Sequence, residues 1–235
     1  MLHFLPSFAL AVVVTAAFTV LARAVRGVSR GGAVAGAACC FILYAGAGPG
    51  AFLALVAVFA LAWASTRLGY SQKQKLGVAE RKDGRNAWQV VANLGVATLC
   101  AAAFHGTGNP VFLLVLAAAL SEAAADTVSS ELGQASGARP RLITSGKPVD
   151  PGTNGGITWV GTLAGMAAAA IIGGVCVFSR LIPPRDGLLA ALSGIAGMIC
   201  DSYLGATLER PGWLSNDAVN ALSTLVAAAM AFVLH

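Results

Sequence analysis

Hydrophobic positions along this chain fall into long uninterrupted runs, and polar positions collect in short links between them. Runs long enough to cross a bilayer, or nearly so, lie at about 4–22, 31–48, 50–67, 87–105, 110–130, 156–178, 187–208 and 216–234. The pattern predicts an all-α integral membrane protein, a polytopic bundle of about eight transmembrane helices. The second and third runs meet at Gly46-Ala47-Gly48-Pro49-Gly50 and are each short, so they read as a tight hairpin or a re-entrant pair. The first run has no basic residues before it and carries its arginines after it, which marks a retained first span rather than a cleaved signal.

Composition agrees with the pattern. The chain is 57% hydrophobic and 11% charged, far from the quarter-charged surface of soluble domains. Its 28 glycines and many alanines suit close helix packing. The five cysteines all lie in apolar runs without CxxC spacing, which fits packing and excludes a zinc or disulfide framework. His3, His105 and His235 lie apart from one another and are assigned no catalysis.

The net charge of +5 is a topology signal and not a nucleic-acid one. Thirteen of the fifteen Lys and Arg fall in the links after runs 1, 3, 5 and 7, and only Arg180 and Arg185 fall on the other side. By the positive-inside rule both termini are outside and those four links are cytoplasmic. The whole chain is one transmembrane domain, with residues 1–80 as accessory spans and 81–220 as the motif-bearing catalytic region. The absence of a transit peptide points to the cytoplasmic membrane of a prokaryote.

The candidate chemistry sits at that same side. Glu122 and Asp126 are four apart on one helix face, with Ser129, Ser130 and Glu131 beyond them. Charges at this depth face a cavity, a partner or an ion. Asp201 lies on a stripe with Gly194, Gly197 and Gly205, which would hold its carboxylate against a neighbouring helix. Hard oxygen ligands from two helices suit Mg²⁺, so Asp126, Asp201, Glu122 and Glu131 are the candidate metal ligands.

The link that follows carries Arg139, Arg141 and Lys147 and closes on Gly152-Thr153-Asn154-Gly155-Gly156, where a helix is expected to open. Such a turn can direct backbone N–H groups at phosphate, with Lys147 as neutralising charge. Because the lysine precedes the glycines, this is not a P-loop. Arg81, Arg85 and Asn93, with Gln89 a turn before Asn93, form a second cationic group, while Lys73 and Lys75 read as headgroup-facing charges. Asp217 and Asn220 open the last span and can face the bundle. A transporter would spread its charges about the midplane of repeated halves, and no internal repeat is found here.

Five stretches carry a resemblance: RKDGRNAWQVVANLG, EAAADTVSSELG, PRLITSGKPVDPGTNGGITWVGTLAG, GMICDSYLGATLE and LSNDAVN, spread in order over residues 81–220. Together they resemble the integral-membrane family that includes plant phytyl-phosphate kinase and transmembrane protein 19 of animals. More distantly, Asp126, Lys147 and the Gly152–Gly156 turn are similar in order to CTP-using lipid enzymes such as CDP-diacylglycerol synthase and dolichol kinase. The aspartate pair those synthases carry after the turn is replaced here by Ile157-Thr158-Trp159-Val160.

The resemblance implies transfer of the γ-phosphate of CTP to an isoprenyl monophosphate, with Mg²⁺ as cofactor. In that reading Asp126, Lys147 and Asp201 are catalytic. Arg139, Arg141 and Gly152, Thr153, Asn154, Gly155 and Gly156 bind nucleotide. Arg81, Arg85, Asn93, Asp217 and Asn220 bind the lipid phosphate. Expected partners are that lipid, the nucleotide and membrane lipids, with a homodimer left open and no nucleic acid. A cytidylyltransferase and a lipid transporter are the alternatives.

Overall fold

A computed structural model describes residues 4–235, so His3 lies outside the described residues. The fold is all-α apart from one two-residue ribbon. Its helices are α1 (Phe4–Ala24), α2 (Arg30–Arg67), α3 (Tyr70–Lys75), α4 (Ala87–Thr107), α5 (Val111–Ala135), α6 (Trp159–Phe178), α7 (Pro184–Leu204) and α8 (Asn216–Leu234). Among the described residues six helices, α2 and α4 to α8, are long and apolar enough to cross a membrane. Strands β1 (Arg141–Leu142) and β2 (Gly156–Ile157) pair antiparallel in the link between α5 and α6.

Helix α2 is a hairpin. A straight helix of its 38 residues would extend about 57 Å, yet both of its ends meet the same short link. At its start the Ser29 amide donates to the Arg85 carbonyl at 2.9 Å. At its end Trp63 Nε1 and Arg67 Nη2 donate to the Val25 carbonyl at 3.1 and 2.6 Å. The reversal is at Gly48, whose φ of 82° is open only to a residue without a side chain. Pro49 follows, suited to open the second arm because it lacks the amide that would have no partner there. Of the two readings of residues 31–67, the hairpin is the one observed.

Helix α5 is the hub of the bundle. In its most apolar stretch 83% of residues are buried, against 28–39% for the other long helices. Its alanines let neighbours approach to backbone distance. A side chain at Gly161 of α6 would come within 2.5 Å of the Ser129 carbonyl, and one at Gly194 of α7 within 2.6 Å of Ser121 Cβ. These contacts exist because glycine stands there, as small-residue packing in membranes requires.

Three boundaries differ from expectation. Helix α5 runs on to Ala135, so Glu131 is helical. Helix α6 begins at Trp159, where the Thr158 hydroxyl accepts from the Gly161 amide at 3.0 Å, and Gly156 belongs to β2 instead. Helix α7 ends in a π-turn, Gly205–Glu209. Apart from Arg180 and Arg185, the Lys and Arg residues fall in the links after α1, α2, α5 and α7, in the helix ends beside those links, or in the short helix α3. Exposed Trp88, Trp159 and Trp213 lie in or beside those links, as aromatic residues do at a membrane interface.

Candidate active site

A polar cavity of about 200 Å³ opens at the basic end of the bundle, between α5, the end of α7 and the loop before α6. Helix α5 contributes Asp126, Ser129, Ser130 and Gly133, and the end of α7 contributes Asp201, Ser202, Gly205 and Glu209. Asp126 and Asp201 thus face the same cavity from two different helices. Ser223 of α8 donates its hydroxyl to Asp201 Oδ2 at 3.1 Å, which fixes the carboxylate's orientation. One turn deeper, Glu122 is fully buried and its Oε1 has no hydrogen-bond partner.

Most of the remaining wall is the segment Pro151–Thr158. Its shape comes from the ribbon. The Leu142 amide donates to the Lys147 carbonyl at 2.9 Å and the Ile143 amide to Gly155 at 3.0 Å. Gly155, at φ 76°, lies against the π-turn, where any Cβ would press on the backbone of Ala206 at 2.6 Å. Gly155→Ala is therefore expected to destabilise the fold by on the order of 1–3 kcal/mol. The check is thermal unfolding in detergent, and an unchanged midpoint would mean the loop is not docked there.

A second, mostly apolar slot lies on the other side of α5, walled by α1, both arms of α2 and α4. Arg26, Arg67, Arg81 and Arg85 line its polar end, with Gln89 and Asn93 of α4. Helix α5 shows Ala123 and Thr127 to this slot and Asp126 to the polar cavity. Arg85 of the slot reaches the hub itself: its Nη2 donates to Thr127 Oγ1 at 3.3 Å, one residue along α5 from Asp126.

The structure thus brings together Asp126, Asp201 and Gly152, Thr153, Asn154, Gly155 and Gly156, and separately Arg81, Arg85 and Asn93. Other expected residues are placed differently. Arg139 and Lys147 are exposed and do not line the cavity, and Arg141 Nη1 donates to the Gly146 carbonyl at 2.8 Å. Asp217 and Asn220 line neither cavity, although their neighbour Asn216 does.

Glu131 is the clearest correction. Its Oε2 meets Lys73 Nζ at 2.5 Å and its Oε1 accepts from Thr66 Oγ1 at 2.9 Å, so it is engaged on the α2–α3 side. Lys73 is likewise no headgroup-facing charge. It is fully buried, and its ammonium also donates to the carbonyls of Ser65 and Thr66 at 3.0 and 2.8 Å. All three of its donors are satisfied, and the carbonyls left over at the end of α2 are capped. Ser223, Lys73 and Glu209 were missed by sequence reasoning.

Among the described residues no three His, Cys, Asp or Glu side chains gather into a complete metal cluster. The donor set nonetheless fits magnesium. That ion binds through one or two carboxylates and completes its sphere with water and substrate phosphate. Asp126 and Asp201, both lining the cavity, can supply two such hard oxygens.

Comparison with known proteins agrees with the membrane architecture. The family described as Integral membrane protein DUF92 matches residues 13–228. The uncharacterized membrane protein sll0875 of Synechocystis sp. is 34% identical over 81% of this chain and 76% of its own length. Protein VTE6, chloroplastic, of Arabidopsis thaliana is 31% identical over 80% of this chain and 59% of its own length. The uncharacterized membrane protein MJ0933 of Methanocaldococcus jannaschii is 36% identical over 73% of this chain. No solved structure matches.

Proposed function

This chain belongs to the integral membrane protein family DUF92, and on that premise we propose that it phosphorylates an isoprenyl monophosphate, with CTP as donor, to give the diphosphate and CDP. The observation that carries the reading is the pair of cavities meeting at α5. One is polar and holds a carboxylate pair beside a glycine-rich loop; the other is apolar with an arginine-lined end. A phosphorylated lipid and a nucleotide need those two environments side by side. The choice of isoprenoid and of cytidine rests on the motif resemblance set out above.

In this mechanism the Gly152–Gly156 loop holds the donor's polyphosphate, while Arg139, Arg141 and Lys147 on the exposed part of the same link meet it from the solvent side. Asp126 and Asp201, with Ser223 orienting Asp201, would hold Mg²⁺. Magnesium held there would supply charge neutralisation to the transferring phosphoryl group. Arg81, Arg85 and Asn93 hold the acceptor phosphate, and Asp217 and Asn220 border the same end of the bundle.

An acceptor phosphate oxygen attacks the donor's terminal phosphorus, a P–O bond forms, and the bond to the CDP leaving oxygen breaks. The acceptor is already anionic, so positioning and charge complementarity carry the step and no activated side-chain nucleophile is needed. Arg85, reaching α5 from the slot, bears on both phosphates. In this reading the positive-inside rule would turn this end of the bundle to the cytoplasmic side of the membrane.

The test is incubation of detergent-purified protein with Mg²⁺, phytyl or geranylgeranyl phosphate and γ-labelled CTP. Label in a lipid diphosphate, with CDP released, is the expected result. Free pyrophosphate with a CMP-bearing lipid would convert the assignment to a cytidylyltransferase. No turnover with any nucleotide would overturn it.

A further inference from the structure

The slot opposite the polar cavity has features the reaction alone does not require. It is lined on the second arm of α2 from Arg67 down to Leu55, a depth of about 18 Å by helical rise. Its inner wall is Phe18, Leu55, Val58, Phe59 and Leu94, with the Phe18 and Phe59 rings edge to face at 5.3 Å. Its polar end holds four arginines against a single carboxylate, Glu80. Glu80 is already occupied, accepting from the Arg81 amide at 2.9 Å and from Gln89 Nε2 at 3.1 Å. A cationic end above a narrow apolar shaft complements one long apolar chain with an anionic head.

One position in that wall is unfilled. Gly36 lines the slot from the first arm of α2, and a Cβ built there meets nothing within 4 Å. Packing does not require glycine at Gly36, unlike Gly32 on the same arm, where a Cβ would press on the Arg85 carbonyl. A glycine in mid-helix is also less favourable than an alanine. Its visible consequence is the space it leaves in the shaft.

We infer that this slot receives the acceptor's single isoprenoid chain, and that Gly36 keeps it open to long chains. The spans α1 and α2, which bear no motif, then form the specificity element of the enzyme. The inference rests on the proposed reaction, since that reaction supplies the occupant, but its test reads binding and not turnover.

Trp63 lines the slot, so intrinsic fluorescence of the full-length protein reports occupancy. The probes are geranylgeranyl monophosphate, geranyl monophosphate and dioleoyl phosphatidic acid. Gly36→Leu is expected to weaken geranylgeranyl monophosphate by about tenfold or more, and to weaken the shorter geranyl compound far less. Gly36→Ala should give a smaller loss in the same direction. Gly174→Leu is the control: Gly174 is an exposed glycine of α6 outside the slot, again with nothing near its Cβ, and the variant should bind as the parent does.

Unchanged binding of the long-chain phosphate by Gly36→Leu would overturn the inference. So would phosphatidic acid binding as tightly as the prenyl phosphate and weakening in parallel with it, which would make the slot a structural phospholipid site. Selective binding without turnover would leave the slot assigned and remove only the reaction.

Discussion

Asp126→Asn and Asp201→Asn are each expected to lower phosphoryl transfer by about 10³-fold, the scale on which preorganised electrostatic groups act on developing charge. Asparagine keeps the volume and one oxygen of each side chain but removes the charge that would hold magnesium. The two carboxyls face one cavity, with the buried and unpartnered Glu122 one turn along α5 from Asp126. Like charges held this close repel, so either substitution should leave the thermal-unfolding midpoint unchanged or raise it. Lost activity with retained or increased stability is the signature of a functional site. Initial rates with labelled nucleotide and unfolding of the same preparations decide it. Activity within tenfold of the parent would remove the pair from the reaction, and a collapsed midpoint would make it a structural element.

The second large effect is on stability. Lys73→Met leaves Glu131 buried without its cation and strips the Ser65 and Thr66 carbonyls of their donor. Breaking one side of a buried pair typically costs about 3–5 kcal/mol. The double variant Lys73→Met with Glu131→Gln should recover much of that loss, because the uncompensated charge is gone. The measurement is thermal unfolding of the three variants. A loss under about 0.5 kcal/mol for Lys73→Met would mean that water solvates the pair.

Much of the architecture was readable because hydropathy is a strong signal in membranes, where every polar backbone group must be satisfied within a helix. The reversal at Gly48 was among the readings considered, since Gly-Pro-Gly between two short runs marks a turn. Glu131 was misjudged although its spacing carried the answer. At about 100° per residue it stands roughly 140° round the helix from Asp126, so the two cannot share a face. Lys73 was hidden for another reason. A lysine in a basic link counts toward topology, and nothing local distinguishes a buried one until α3 is seen folded under α5.

Ser223 gave no signal because serines are ordinary in spanning helices, and its partner Asp201 comes from another helix. The β1–β2 ribbon is two residues long, below the reach of any alternation pattern. The carboxylate pair itself was legible because an intramembrane aspartate needs a reason to be there. Its exposed companions Arg139 and Lys147 were grouped with it by order along the chain, which says nothing about where a side chain ends.

The burial of α5 also bears on how the protein is made. A chain entering the membrane in order presents α5 before α6, α7 and α8 exist. Glu131 then finds its counter-charge at once, because Lys73 has already been synthesised. Glu122 has no such early partner: the surfaces that enclose it, around Gly197 and Ser223, arrive last. Until then the most polar turn of the hub faces lipid or the insertion machinery. The carboxylates proposed for the chemistry of the finished protein thus also mark the point in its biogenesis at which it would be most exposed to quality control.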